Sequence, residues 1–347
     1  MRRALGVSHF LYGRCQSNEW HRPGSAAKIA RSPSKTSTID AASTRFRGEV
    51  QISVNWRFPR SALTFSSMSP APEIRPDQSV ELLKELHILT RDGKMNQDSR
   101  RKLKQVYHLF QFIEPLLQDV KKEHDAITLV DHGAGKSYLG FILYDLFFKA
   151  LRDQSHVYGI ETRAELVASS QSLAQRLGFG GMSFLNLSVA DSITSDQLPE
   201  KIDVVTALHA CNTATDDAIH FALAKHAKYI VVVPCCQAEV AAALRKNKSR
   251  ALADPLAEIW RHPLHTREFG SQVTNVLRCL QLEAHGYQVS VTELVGWEHS
   301  MKNELIIAQY KNLPRRKPTE RLHEILDRIG LPQLRERFFT DALVSSE

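Results

Sequence analysis

The sequence of 347 residues has few cysteines and no long apolar run. Five cysteines, an odd number without a secretory signal, argue against a fold built on disulfides. No stretch approaches the roughly eighteen consecutive apolar residues that indicate a transmembrane helix. We therefore expect a soluble, cytoplasmic protein that has no membrane partner.

Acidic residues are scarce in the N-terminal part of the chain. Residues 1–67 contain 11 Lys and Arg against 3 Asp and Glu, a balance of +8, whereas residues 68–347 balance at −1. The excess positive charge therefore lies in the extension, and bulk affinity of the remaining chain for nucleic acid is not indicated. Residues 1–67 are rich in Ser, Arg and Ala and have no sustained helical or alternating hydrophobic periodicity. They are predicted to be a disordered basic extension. They resemble a transit segment, or they reflect an overextended start, because ordered-looking sequence opens at Met68.

One strand end carries glycines at close spacing. The apolar run from Ile127 ends on Asp131, turns through Gly133 and Gly135, and continues as a helical pattern from Tyr138. Such a turn presents backbone N–H groups and a helix N-terminus, and glycine lets a ligand approach the backbone closely. The sequence therefore predicts a site for a nucleotide-like cofactor.

The same turn lacks the glycines that phosphate-binding motifs need. A Walker A loop requires glycine five residues before Gly135, where Val130 stands, and a dinucleotide fingerprint requires glycine where Tyr138 stands. A Walker B acid at the end of the fourth strand is also missing, because Asp203 begins that strand instead of ending it. A P-loop-like nucleotide-binding protein remains an alternative interpretation.

The pattern of an apolar strand, Asp131 and x-Gly-x-Gly resembles motif I of class I S-adenosylmethionine-dependent methyltransferases. The resemblance implies S-adenosyl-L-methionine as cofactor, bound by Asp131 and the residues Gly133, Ala134, Gly135 and Lys136. It also implies that Glu161, at the end of the second strand, accepts hydrogen bonds from the ribose hydroxyls. By the same resemblance, Asp191 after the third strand accepts from the adenine amino group.

Apolar runs alternate with helical patterns along the remaining chain, as in a series of βαβ units. The fold class is therefore α/β, a Rossmann-like doubly wound sheet with a helical N-terminal lead-in. The resemblance adds an antiparallel edge formed by the last two of seven strands. The predicted strands are 127–131, 156–161, 182–187, 202–208, 229–234, 287–295 and 304–310, and the main helices are 138–151, 163–177, 214–226 and 272–285.

Two further motifs narrow the resemblance to a subgroup of methyltransferase-like proteins and bacterial relatives. Leu208-His209-Ala210-Cys211 resembles a fourth-strand "LHAC" motif, and Pro234-Cys235-Cys236 resembles its "PCC" partner after the fifth strand. Residues 101–108 occupy the place of the subgroup's basic helix, which implies that Lys104 contributes to the cofactor site. The similarity covers roughly residues 95–311.

Methyl transfer mainly requires that the acceptor be positioned and, where necessary, deprotonated. His209 is the candidate base, since an imidazole takes a proton near neutral pH, although it could equally shape the pocket floor and contribute to the cofactor site. Cys211 and Cys235 are candidate catalytic residues by analogy with RNA cytosine-5 methyltransferases. Those enzymes have a Pro-Cys at strand four and a Thr-Cys at strand five, whereas this chain has its Pro-Cys at strand five. A zinc site formed with Cys236 is an alternative, as is simple packing of the pocket by these thiols, and no metal is expected.

The predicted division of the chain has four parts: the extension 1–67, a helical lead-in 68–122, a methyltransferase domain 123–311 and a helical C-terminal appendage 312–347. Residues 246–271, with Trp260, are predicted to be a long loop that covers the acceptor. The predicted function is methyl transfer to RNA or to a protein side chain. Because no N/D-P-P-Y motif follows the fourth strand, a catalytically inactive binding protein is the non-enzymatic alternative.

Overall fold

The computed structural model describes residues 74–151, 153–208, 213–234, 237–246, 255–294 and 304–338. These residues belong to one compact unit. The predicted extension 1–67 lies outside the described residues, and the four-part division of the chain stays a prediction.

Seven strands form one sheet in the order β3-β2-β1-β4-β5-β7-β6. The strands β1 to β5 pair in parallel, whereas β7 pairs antiparallel with both β5 and β6. The strands are β1 (Thr128–His132), β2 (His156–Ile160), β3 (Met182–Leu185), β4 (Val204–Leu208), β5 (Tyr229–Val233), β6 (Tyr287–Glu293) and β7 (Glu304–Tyr310). The predicted α/β class and its antiparallel edge are confirmed.

Ten α-helices connect and flank the strands within the described ranges. They are α1 (Val80–Glu85), α2 (Gln97–Glu123), α3 (Tyr138–Leu146), α4 (Ala164–Leu177), α5 (Val189–Thr194), α6 (Ala214–Ala224), α7 (Glu239–Lys246), α8 (Pro263–Ala284), α9 (Arg316–Arg328) and α10 (Arg335–Phe338). Short 3-10 turns cover Phe148–Ala150, Pro255–Trp260 and Pro332–Leu334. No helix in these ranges combines the length and the apolar character needed to cross a membrane.

The parallel strands are buried on both faces, as their continuous apolar sequence indicates. All five residues of β5 (Tyr229–Val233) are buried. One face packs against α2 and α3 around Phe110 and Phe141, and the opposite face packs against α6 around Phe221. The carboxyl ends of β1 and β2 therefore lie between two apolar layers.

The predicted loop over residues 246–271 is wrong for most of its described length. The α8 helix begins at Pro263, a residue suited to the first helical position, nine residues before the predicted start. Trp260 is buried and stacks on Phe269, with ring centroids 5.1 Å apart, in a third apolar cluster with α7 and α9. Gly270 lies on the α7 backbone, where a Cβ would stand 2.7 Å from the nitrogen of Ala241. The polar, glycine-containing start of α8 therefore reflects close helix packing and not a loop.

Candidate functional site

The turn after β1 has a left-handed backbone at three of its residues. Gly133 and Gly135 have φ angles of 66° and 59°, and Ser137, the residue before α3, has a φ of 49°. The N–H of Ala134 donates to the carbonyl of Ile160 at 2.9 Å, which fastens the turn to the end of β2. Two glycines therefore allow the chain to reverse immediately above the sheet.

Asp131 lies beneath this turn and is 2% exposed. Its carboxylate accepts hydrogen bonds from the hydroxyls of Thr206, at 2.9 Å, and Ser137, at 3.3 Å. Burial raises the pKa of Asp131 to about 6, against the lowering effect of these two hydroxyls. The bonds join β1, β4 and the start of α3, so Asp131 holds the turn in place from below.

Glu161 follows β2 and contacts the same turn directly. Its carboxylate accepts the backbone N–H of Gly135 at 2.8 Å, across 26 residues of sequence. The guanidinium of Arg163 donates to both oxygens, at 3.0 and 3.1 Å. Burial alone would raise the pKa of Glu161, but the bonds from Arg163 and Gly135 outweigh it and hold this pKa below its usual value. Glu161 therefore stays ionised beside the glycine turn.

Asp191 lies in the first turn of α5, a helix that the sequence did not predict. The strand before it ends at Leu185, two residues earlier than predicted, and Ser188 caps the helix. Ser188 Oγ donates to the Asp191 carboxylate at 2.5 Å, and Asp191 is exposed. The described contacts of Asp191 are local, and they do not include Glu161 or the glycine turn.

The two predicted cofactor-site lysines are both exposed. Lys136 lies in the glycine turn itself, and its role in binding stays a prediction. Lys104 lies on α2, one turn before Tyr107, whose hydroxyl donates to Gln78 at 2.6 Å. No described contact joins Lys104 to the turn, and its role stays a prediction.

All three predicted catalytic side chains, His209, Cys211 and Cys235, lie outside the described residues, as does Cys236. The described chain resumes at Thr213 after β4 and at Gln237 after β5.

A buried polar network among the described residues was not predicted. Arg278 of α8 is 1% exposed and donates to both carboxylate oxygens of Asp216 at 2.7 and 2.9 Å. Asn275 of the same helix accepts from Gln237 and donates to Glu304. An arginine on the apolar face of α8 was the available sequence signal. The network connects α8 to Asp216 after β4, to Gln237 after β5 and to Glu304 at the start of β7.

His132 is a second residue that sequence analysis missed. It is the last residue of β1, is 5% exposed, and has its ring centroid 5.1 Å from that of Phe221. Burial lowers its pKa to about 4, with the charge of Glu161 acting in the opposite direction. A polar residue at the end of the apolar run 127–130 was the signal that could have drawn attention to it.

Asp203 lies just before the start of the fourth strand and not at its end, where a Walker B acid would stand. It precedes β4, and its carboxylate accepts the N–H of Thr128 at 2.8 Å, at the start of β1. This position is the amino edge of the sheet, opposite to the glycine turn. A metal-binding acid beside that turn would have to come from another residue.

Residues 101–243 match the family described as "Methyltransferase domain". The matched region contains β1 to β5 and therefore the glycine turn, Glu161 and Asp191. The match bears out the prediction of a methyltransferase for residues 101–243, and the sheet to which their five strands belong has seven strands. A comparison with curated protein sequences gives no match.

Several solved structures of methyltransferases are distantly similar. Fibrillarin from Aeropyrum pernix, solved with S-adenosyl-L-methionine, is 11% identical, with 52% of this chain and 66% of that chain covered and a TM-score of 0.32. Magnesium protoporphyrin IX methyltransferase from Synechocystis, solved with S-adenosylhomocysteine, is 15% identical, with 67% and 95% covered and a TM-score of 0.34. The N-terminal domain of human METTL16, also solved with this product, is 9% identical, with 59% and 69% covered and a TM-score of 0.36.

Proposed function

We propose that this protein is an S-adenosylmethionine-dependent methyltransferase whose cofactor binds at the glycine turn after β1. The observation that carries the proposal is the contact between Gly135 and Glu161. The fold brings an ionised carboxylate at the end of β2 to the turn after β1, although 26 residues separate them in sequence. A carboxylate at this point can accept two hydroxyl hydrogen bonds from one ribose.

The remaining predicted contacts extend from this pair. The turn Gly133–Gly135 supports the amino-acid part of the cofactor, and Lys136 borders it. Asp191 receives the adenine amino group, and Lys104 completes the site, as the subgroup resemblance implies. The Arg163 side chain is 59% exposed. When the ribose hydroxyls bind Glu161 in its place, this side chain moves into solvent.

The acceptor that we propose is RNA. Exposed Arg100, Arg101 and Lys104 on α2 gather positive charge in one place, within residues 68–347 whose overall balance is −1. His209 serves as the base, and Cys211 and Cys235 line the acceptor pocket after β4 and β5. If the methyl group is found on a protein side chain instead, protein replaces RNA as the proposed acceptor.

Isothermal titration with S-adenosylmethionine and with ATP tests the cofactor. We expect binding of the former alone, and a weakening of about tenfold or more in Glu161→Gln, which removes the negative charge and one acceptor. Glu165→Gln, a nearby exposed carboxylate in α4, is the matched control and keeps wild-type affinity. Equal affinities for all three proteins, or unaltered affinity in Gly133→Arg, would reject the proposed site.

Incubation with radiolabelled methyl donor and either deproteinised RNA or extracted protein tests the acceptor. We expect label in the RNA fraction and its loss in Glu161→Gln. Label confined to the protein fraction would contradict the proposed acceptor while leaving the cofactor site intact.

A further inference from the structure

His132 stands out among the buried polar side chains of the described residues. Several of these side chains have one buried atom without a hydrogen bond, but in Gln78 and Gln281 the other amide atom is bonded. In His132 neither Nδ1 nor Nε2 has a partner. Because a buried polar group without a hydrogen bond is unfavourable, an apolar residue would fit this position better in the ligand-free protein.

The position of His132 is at the proposed cofactor site. It is the last residue of β1, directly before Gly133, and it is paired in register with Ile160, the residue before Glu161. Successive residues of a strand point to opposite faces, so His132 lies on the α6 face while Asp131 lies on the α3 face. The residue thus lies at the carboxyl edge of the sheet, directly before the glycine turn, and its ring lies beside Phe221 of α6.

The chemistry of the ring restricts its partner. The imidazole is neutral at physiological pH, because burial disfavours its charged form. A neutral imidazole offers one N–H donor and one acceptor. A group that both donates and accepts, such as a sugar hydroxyl, satisfies it without introducing a buried charge.

We propose that His132 is a cofactor-binding residue that hydrogen-bonds the adenosyl half of the methyl donor held at Glu161. The inference rests on the proposed function, since it assigns a further contact within the same site. Binding then supplies the partner that the ring lacks in the free protein. The free-energy cost of burying an unpaired imidazole is tolerated because the hydrogen bond to the ligand offsets it.

Two variants separate this role from simple packing. His132→Leu removes both polar atoms, and His132→Asn keeps a donor and an acceptor. For His132→Leu we expect a higher urea midpoint without ligand and an affinity for S-adenosylmethionine that is weaker by about tenfold or more in isothermal titration. For His132→Asn we expect a smaller loss of affinity.

His156→Leu is the matched control. His156 begins β2, at the amino edge of the sheet, and its Nε2 is hydrogen-bonded with Ser183 Oγ at 2.9 Å. Because this imidazole already has a partner, its loss should lower the urea midpoint and leave the affinity for S-adenosylmethionine unchanged.

Titration with 5′-methylthioadenosine, which has the adenosyl half and lacks the amino acid, tests the part of the ligand involved. We expect the same fold loss as with S-adenosylmethionine. A loss confined to S-adenosylmethionine would contradict the adenosyl contact.

The result that overturns the inference is a His132→Leu protein that binds S-adenosylmethionine as tightly as wild type. A lower urea midpoint for this variant would also overturn it, because the ring would then already have a partner, such as an internal water. Failure of the wild-type protein to bind the methyl donor would instead reject the proposed function, and the inference with it.

Discussion

At the scale of single residues, two neighbours at the end of β1 titrate in opposite directions. Asp131 and His132 are both buried, on opposite faces of one strand, and neither is paired with an opposite charge. Burial disfavours the charged form in each case, which raises the pKa of the acid and lowers the pKa of the base. Both side chains are therefore held toward neutrality below the glycine turn.

These two pKa values predict how stability depends on pH. Asp131 has a folded pKa of about 6 against an ordinary 3.8, so its contribution to the free energy of unfolding falls as pH rises from about 4 to 6. His132 has a folded pKa of about 4 against an ordinary 6.5, so its contribution rises over nearly the same range. Each trend amounts to roughly 3 kcal/mol, and in the wild-type protein they largely cancel.

Single variants should separate the two trends. As pH rises from 4 to 6.5, we expect the stability of Asp131→Asn relative to wild type to increase. Over the same range we expect the stability of His132→Leu relative to wild type to decrease. Urea unfolding at several pH values measures this difference. Parallel pH profiles for the two variants would contradict the assigned pKa values.

At the scale of elements, the start of α3 and the middle of β2 are packed against each other without spare space. A Cβ on Gly159 would stand 2.6 Å from Cδ1 of Phe184 and 3.4 Å from the Ser137 hydroxyl. The Phe184 ring in turn contacts Phe141 of α3, with centroids 5.4 Å apart. Glycine at position 159 therefore sets the distance between β2, β3 and the turn.

Gly159→Ala should destabilise the protein by about 1–3 kcal/mol, because the Phe184 ring must leave its packed position. Chemical denaturation measures the change. Gly180→Ala is the control, since a Cβ there meets no atom within 4 Å, and its unfolding midpoint should change little. Equal midpoints for both variants would show that Phe184 moves without cost.

At the scale of the whole molecule, one buried ion pair joins distant parts of the chain. Asp216 of α6 accepts from Arg278 of α8 and also from Arg337 of the C-terminal helix α10, at 3.3 Å. Phe338 beside it packs with α7, α8 and α9 in the third apolar cluster. The described C-terminal residues therefore form part of the structure that supports the carboxyl edge of β4 and β5.

Removal of one member of this pair leaves the other charge buried. We expect Arg278→Met to lower the free energy of unfolding by about 3–5 kcal/mol, and the double variant Arg278→Met with Asp216→Leu to recover part of the loss. Arg316→Met, whose partner Glu320 is on an exposed surface, is the control and should leave unfolding unchanged. A single variant as stable as wild type would contradict the structural role of the pair.

Local sequence signals predicted most elements of the sheet well. The predicted helix 163–177 agrees with α4, which ends at Leu177 and is followed by Gly178 with a left-handed φ of 68°. The prediction was poorer where packing replaces the local pattern. The α8 helix is predicted only from residue 272, because its first residues are polar and include Gly270. Glycine is needed at this position because the backbone there lies against Ala241.

For the candidate site, the sequence by itself determined the glycine turn, the acid at the end of β2 and the class of enzyme, because these depend on residue type and spacing along one βαβ unit. Only the tertiary structure decided that Glu161 bonds the turn, that His132 is buried without a partner, and that Arg278 holds Asp216. Hydrogen bonding and burial across distant segments depend on how strands and helices pack, and no local periodicity records them.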